Sequence, residues 1–179
     1  MRKIIAYEFL TIDGYMAGRE GQEMDFVTRN FLNEMESDIA KEYKDVDTFL
    51  FGRVTYESLS NYWPNVTIKE EPLADLMNNM SKIVFSKTTT DLKWKNSRQS
   101  TKKLLEEVEG KNVMIIGSAS IVQELTERRL IDEYKILFFP LISGGGKSLF
   151  RQLNEGIPLK SIDSKIYNNG VLLLTYSKH

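Results

Sequence analysis

The sequence predicts an α/β fold: a mostly parallel, helix-flanked sheet closed by an antiparallel hairpin. Three observations carry that reading. Short apolar runs alternate with helical patterns from end to end, the order expected of repeated βαβ units. Val113–Ile116 (VMII) is an unbroken apolar run, as in strands buried on both faces. Near the C-terminus Asn168-Asn169-Gly170 separates two apolar-rich runs, and Asn-Gly in that setting signals a hairpin.

The elements follow in order. Residues 3–9 (KIIAYEF) read as a first strand, broken by Gly14 and Gly18. A helix is expected from Thr28, because Phe31, Met35, Ile39 and Tyr43 are spaced four apart and Leu32 widens the stripe. Residues 48–51 form a short buried strand ending at Gly52, then a brief helix carries Tyr56 and Leu59. Pro72 suits the first turn of a helix that places Leu73, Leu76, Met77 and Met80 on one face. Residues 83–85 are a strand and 86–90 a polar loop. Leu104, Leu105 and Val108 mark a short helix that Gly110 would end. Ser118 or Ser120 can cap the helix containing Ile121, Val122 and Leu125. Residues 134–139 are the next strand, and 161–167 and 171–176 are the arms of the hairpin. No repeat or linker divides the chain, so a single domain over 1–179 is expected.

Composition removes whole classes of chemistry. The 179 residues include no cysteine and one histidine, the terminal His179. Disulfides, thiolate zinc sites, iron–sulfur clusters and thiol nucleophiles are excluded, and neither a Ser-His-Asp triad nor any metal site is expected. Lys and Arg number 24 against 25 Asp and Glu, a net charge of -1 that gives no general pull toward nucleic acid or an acidic membrane. No apolar run approaches the ~20 residues of a membrane span, and MRKIIAYEFL lacks a signal-peptide pattern. The expectation is a cytoplasmic protein with neither nucleic acid nor membrane as partner.

Two strand ends have the makings of phosphate sites. Gly52, Arg53 and Thr55 place a glycine, a cation and a hydroxyl where a strand passes into a helix. Gly117, Ser118, Ala119 and Ser120 do the same with small residues, which leave helix-start N–H groups unobstructed for an anion. Tight turns at the two glycines and a simple Ser118 cap explain each stretch equally well; together they suggest one extended phosphate-bearing ligand. Ser143-Gly144-Gly145-Gly146-Lys147-Ser148 resembles the end of a nucleotide-hydrolysing loop, but Leu141 stands where that motif needs glycine, and a turn beside a cleft fits better. Asp13, at the end of strand one, reads either as a general acid with a raised pKa or as an Asp-Gly turn residue. Asp25 is open in the same way, since a carboxylate near a helix start is stabilising in itself.

In order, TIDGYMAG, FGRVTYES, IVFSK, IIGSASIV and LIDEYKILFFPLISGGGKSLF resemble the dihydrofolate-reductase-like superfamily. Within it they are similar to the group of the C-terminal reductase domain of the bifunctional riboflavin-biosynthesis deaminase/reductase. The resemblance spans nearly the whole chain and implies an NADPH-dependent reductase of a pterin, pyrimidine or related small heterocycle, working as a homodimer. It implies that Gly52, Arg53 and Thr55 hold cofactor phosphates, that Ser86 and Lys87 lie near the adenosine 2′-phosphate, and that Gly117–Ser120 meet the pyrophosphate. For the proton Asp13 is favoured, with Asp25 or an ordered water as rivals. The sequence departs from the family where riboflavin members commonly carry Arg after the Asp-Gly pair, a position held here by Tyr15, and where Gly117-Ser118 replaces a two-glycine turn. The alternative is a nucleotide-binding protein of the same fold without turnover.

Overall fold

In the computed structural model, which describes residues 3–88, 91–100, 106 and 111–179, eight strands share one sheet. In chain order the elements are β1 (Ile4–Thr11), β2 (Tyr15–Ala17), α1 (Asp25–Thr28), α2 (Asn33–Lys44), β3 (Thr48–Gly52), α3 (Arg53–Tyr62) and a 3₁₀ turn (Trp63–Asn65). Then come α4 (Ala74–Asn79), β4 (Ser81–Phe85), β5 (Ser97–Ser100), β6 (Val113–Ile116), α5 (Ala119–Glu127) and β7 (Glu133–Phe139). The chain closes with β8 (Lys147–Ser148), β9 (Leu159–Ile166) and β10 (Leu172–Lys178).

The large sheet runs β5-β4-β3-β6-β1-β7-β10-β9. Pairing is parallel from β5 across to β7; β10 runs antiparallel to both β7 and β9. This is the expected mixed, mostly parallel sheet. β2 and β8 form a separate two-stranded antiparallel sheet.

Alternation along β1 divides the core in two, because successive side chains leave a strand on opposite faces. Ile5 and Tyr7 join Phe49, Phe51, Met114 and Leu137 under α2 and α4, which contribute Met35, Ile39, Tyr43 and Met77. Ile4, Ala6 and Leu10 join Leu50, Ile83, Ile115 and Ile136 under α5, which contributes Ile121, Val122 and Leu125. The central strands are apolar throughout because both faces are covered.

Several boundaries differ from expectation. The helix foreseen from Thr28 is two helices, α1 and α2, separated at 29–32 where Leu32 adopts an extended conformation. In the gap the Asn30 side chain donates to the Phe26 carbonyl, a side-chain bond within the break. α4 begins two residues after Pro72. β5 and β8 carry no apolar run and β2 is only three residues long, and none of the three was foreseen. The hairpin turn lies where Asn-Gly marks it, with Gly170 at φ 83 and its amide bonded to the Tyr167 carbonyl. The helix expected around Leu104 to Val108 lies outside the described residues.

Candidate functional site

Parallel strands deliver their following loops to one edge of a sheet, where α/β proteins bind ligands. Here β3 pairs with β6, and β6 with β1, so the two glycine turns meet. The Gly52 amide donates to Ser118 Oγ at 2.9 Å. Ser118 Oγ lies 3.2 Å from Thr55 Oγ1 as donor, and Thr55 Oγ1 donates to the Gly117 carbonyl at 2.7 Å. One chain of hydrogen bonds therefore runs from Gly52 through Ser118 and Thr55 to Gly117. Gly117 sits at φ 65, and a Cβ there would come 3.0 Å from Thr55 Cγ2, so the turn is closed to side chains.

This network changes two expected roles. Ser118 occupies the N-cap position of α5, but its hydroxyl reaches across to β3 instead of capping. The Thr55 hydroxyl proton is committed to Gly117, so it bridges the turns and is not free to donate to a phosphate. Neither α3 nor α5 has a side-chain cap or an acidic residue in its first turn, and the two helix starts converge. Ala119 is buried under the turn and Ser120 is exposed at its lip; a Cβ on Gly52 would lie 3.7 Å from Ser120 Oγ.

Cations flank the lip. Arg53 is held by both oxygens of Glu57, at 3.0 and 2.9 Å, in an exposed pair of the kind worth about 0–1 kcal/mol, so an arriving phosphate can take its place. β3 and β4 end level, Gly52 opposite Phe85, which puts Ser86 and the exposed Lys87 next along that edge. Ser86 is bound to the backbone of Thr88, its hydroxyl donating to the Thr88 carbonyl at 2.8 Å.

Of the two readings of Asp13, its placement fits the Asp-Gly turn residue and not the raised-pKa acid. It is exposed in the turn after β1 and accepts from the Thr11 hydroxyl at 2.6 Å, the Gly144 amide at 2.7 Å and the Ser143 amide at 3.1 Å. The Thr11 hydroxyl, helped by those amides, holds its carboxyl down to about 2, since each donor favours the charged form. The glycine loop thus already contains an anion, the protein's own. This also removes the phosphate-loop reading of residues 143–148, whose first two amides face Asp13. Gly146 lies so close to β2 that a Cβ would meet the Ala17 carbonyl at 2.1 Å, and Arg19 donates to the Gly144 carbonyl at 3.3 Å. Asp25, on α1, is half-buried and paired with Arg29 at 2.7 Å.

One group was missed altogether. Glu8 is 2% exposed on the β1 face that carries Ile4, Ala6 and Leu10. Its Oε2 accepts the Gly117 amide at 3.0 Å, while Oε1 is buried with no partner. Burial pushes the carboxyl up to about 8, against the pull of the Gly117 and Ser118 amides and the Lys147 charge. A signal was there to find: period-two alternation from Ile4 puts Glu8 among inward residues.

The mixed sheet gathers helix starts at its parallel strand ends without the G-x-G-x-x-G fingerprint, and its likeness to solved structures makes the fold dihydrofolate-reductase-like. Residues 2–173 match the RibD C-terminal domain family, and the chain belongs to that family. It is similar to the Bacillus subtilis (strain 168) protein YyaP, 27% identical over 98% of this chain and 94% of that one. Among solved structures it is similar to a putative riboflavin biosynthesis protein from Shewanella sp. PV-4, with a TM-score of 0.81, 22% identity and 99% of each chain covered. It is also similar to Enterococcus faecalis dihydrofolate reductase complexed with NADP(H), with a TM-score of 0.65, 14% identity and coverage of 99% and 96%. Family and fold are those of reductases. Among the described residues no helix is long and apolar enough to cross a membrane.

Proposed function

We propose that the protein is an NADPH-dependent reductase of a small heterocycle: a pterin, a 5-amino-6-(5-phosphoribosylamino)uracil-like pyrimidine or a relative of these. The observation that carries the reading is the convergence of two uncapped helix starts, at Gly52 and Gly117–Ser118, beside Arg53 and Lys87. Backbone amides and exposed cations in that arrangement suit a ligand with several phosphates. NADPH, when bound, supplies the hydride. Gly52, Ala119 and Ser120 line the phosphate cradle, Arg53 and Lys87 supply its positive charge, and Ser118 and Thr55 keep the two turns in register.

Proton delivery falls to an ordered water more readily than to Asp25, which is paired with Arg29, or to Asp13. A carboxyl held at about 2 is ionised at neutral pH and has no proton to give. We assign Asp13 to holding the 143–146 loop. The same observation favours a second reading, a nucleotide-binding protein without turnover. A homodimer is part of the proposal; edge strand β9 exposes Ile162 and Ile166, which a second copy could cover.

Fluorescence titration with NADPH and NADH, followed by absorbance assays with dihydrofolate and the riboflavin-pathway pyrimidine, tests the reading. Micromolar NADPH binding with turnover of either compound is the expected result. Absence of binding to either nucleotide overturns the cofactor; binding without turnover of any heterocycle supports the second reading.

A further inference from the structure

We propose that Glu8 controls anion binding at the start of α5: with its carboxyl neutral the helix start at Ala119 and Ser120 accepts a ligand phosphate, and with its carboxyl charged the phosphate is repelled. The proposal rests on the cofactor reading for the identity of the natural ligand, and on the turn itself for everything else. Glu8 is a positioning residue here, since it lies beneath the turn and reaches the ligand only through it.

The geometry is specific. Glu8 is 2% exposed, and its one hydrogen-bonded oxygen, Oε2, takes the Gly117 amide from below. The other oxygen, Oε1, is buried without a partner. A charged oxygen left bare in an apolar surround is strongly disfavoured, whereas a protonated one is tolerated. Directly above, the same turn leads into α5, a nine-residue helix with no side-chain cap. A carboxylate below and a phosphate above would draw on one set of helix-start dipoles, and two anions so placed repel each other.

Few charged or titratable groups face Glu8. Lys147 of β8 acts on it from the solvent side and favours the charged form. From α2, the buried Tyr43 hydroxyl feels the Glu8 charge. From α3, Thr55 is bound to Gly117, and between β7 and α5 the Tyr134 hydroxyl is bound to Thr126 at 2.9 Å. None of these neutralises Oε1 directly. Burial places the change of protonation state near pH 8, within the range of ordinary assays.

ADP-ribose is the cleaner probe, because its pyrophosphate keeps a constant charge across this range; NADPH is run beside it. Dissociation constants are measured by calorimetry and fluorescence from about pH 7 to about pH 9.5 for the wild type and Glu8→Gln. For a charge roughly 10 Å from the phosphate at an effective dielectric of about 20, the wild type should weaken about tenfold over that interval. Glu8→Gln should stay flat. Carbon-13 NMR of the Glu8 carboxyl gives a reading that needs no variant: its titration midpoint must coincide with that of the binding change, which decides the matter if Glu8→Gln does not fold. A flat wild-type profile, an equal slope in the variant or mismatched midpoints overturns the role of Glu8. ADP-ribose binding with the expected profile but no NADPH binding sustains Glu8 and sinks the cofactor. NADPH binding without pH dependence does the reverse, and failure of both probes at every pH removes both proposals.

Discussion

Asp13 accepts the Gly144 amide at 2.7 Å across 131 residues of sequence, joining the turn after β1 to the glycine loop before β8. Its folded carboxyl, held at about 2, lies below its unfolded value of about 3.9. The sign follows directly: Asp13 stabilises the fold at pH values above the unfolded value, and that contribution is lost as pH falls through the folded one. In Asp13→Ala, exchange of the Ser143 and Gly144 amides should accelerate on the order of tenfold at neutral pH. The stability gap between wild type and variant should stay constant from about pH 5 to 8 and close in acid. Unchanged exchange would mean that the loop holds itself.

Glu8 has the opposite sign. Its folded pKa of about 8 lies above the ordinary 4.5, so the folded state retains a proton that the unfolded state releases. Its stabilisation is fully present below about 4.5 and is lost as pH rises through about 8. Urea unfolding should show the wild type losing ground to Glu8→Gln with a slope approaching about 1.4 kcal/mol per pH unit inside that window. Parallel stability curves for the two proteins would place the proton elsewhere.

The close approach at Gly146 gives a third expectation. At φ 135, with a would-be Cβ 2.1 Å from the Ala17 carbonyl, Gly146→Ala must push two backbones apart. Gly156 meets nothing within 4 Å and has no positive φ, so Gly156→Ala is the control. The first substitution should cost roughly 2–4 kcal/mol and the second less than about 0.5 kcal/mol, read by thermal or urea melts. Similar losses for both would mean that the β2–β8 sheet relaxes freely.

Arg53 and Glu57 form an exposed pair that a phosphate must displace. With Arg53 joining Lys87 at the adenosine 2′-phosphate, the one charge that NADH lacks, Arg53→Ala should weaken NADPH about tenfold or more while moving NADH less than about threefold. Glu57→Ala frees the guanidinium and should tighten NADPH severalfold. Equal losses for both nucleotides in Arg53→Ala would place the guanidinium on the pyrophosphate that the two share.

What the sequence revealed follows what is buried. β3, β6 and β7 were legible because a strand covered on both faces cannot hide its composition, and the hairpin because Asn-Gly has few other uses. β5 escaped because Ser97-Arg98-Gln99-Ser100 occupies a sheet edge, where no apolar face is required. The break between α1 and α2 escaped because Phe31 and Leu32 pack against the core as a helical stripe would, although their backbone is not helical there. In the site, residue types located the two glycine turns but not the direction of their bonds. Ser118 bridges to β3, Thr55 closes on Gly117, and Asp13 occupies the amides of the glycine loop; each depends on a partner more than 60 residues away.

The position of β6 has a consequence for how the molecule is made. It lies between β1 and β3, although both precede it by more than 60 residues. During synthesis the first half of the chain therefore has a gap at the centre of its sheet, and the two glycine turns do not meet until residues 113–120 arrive to fill it. Parallel pairings over such separations form slowly, because loop closure must precede any gain from contact. Competence to bind the proposed ligand would thus report that β6 has been inserted, and a ligand present during folding would select chains that have completed that step.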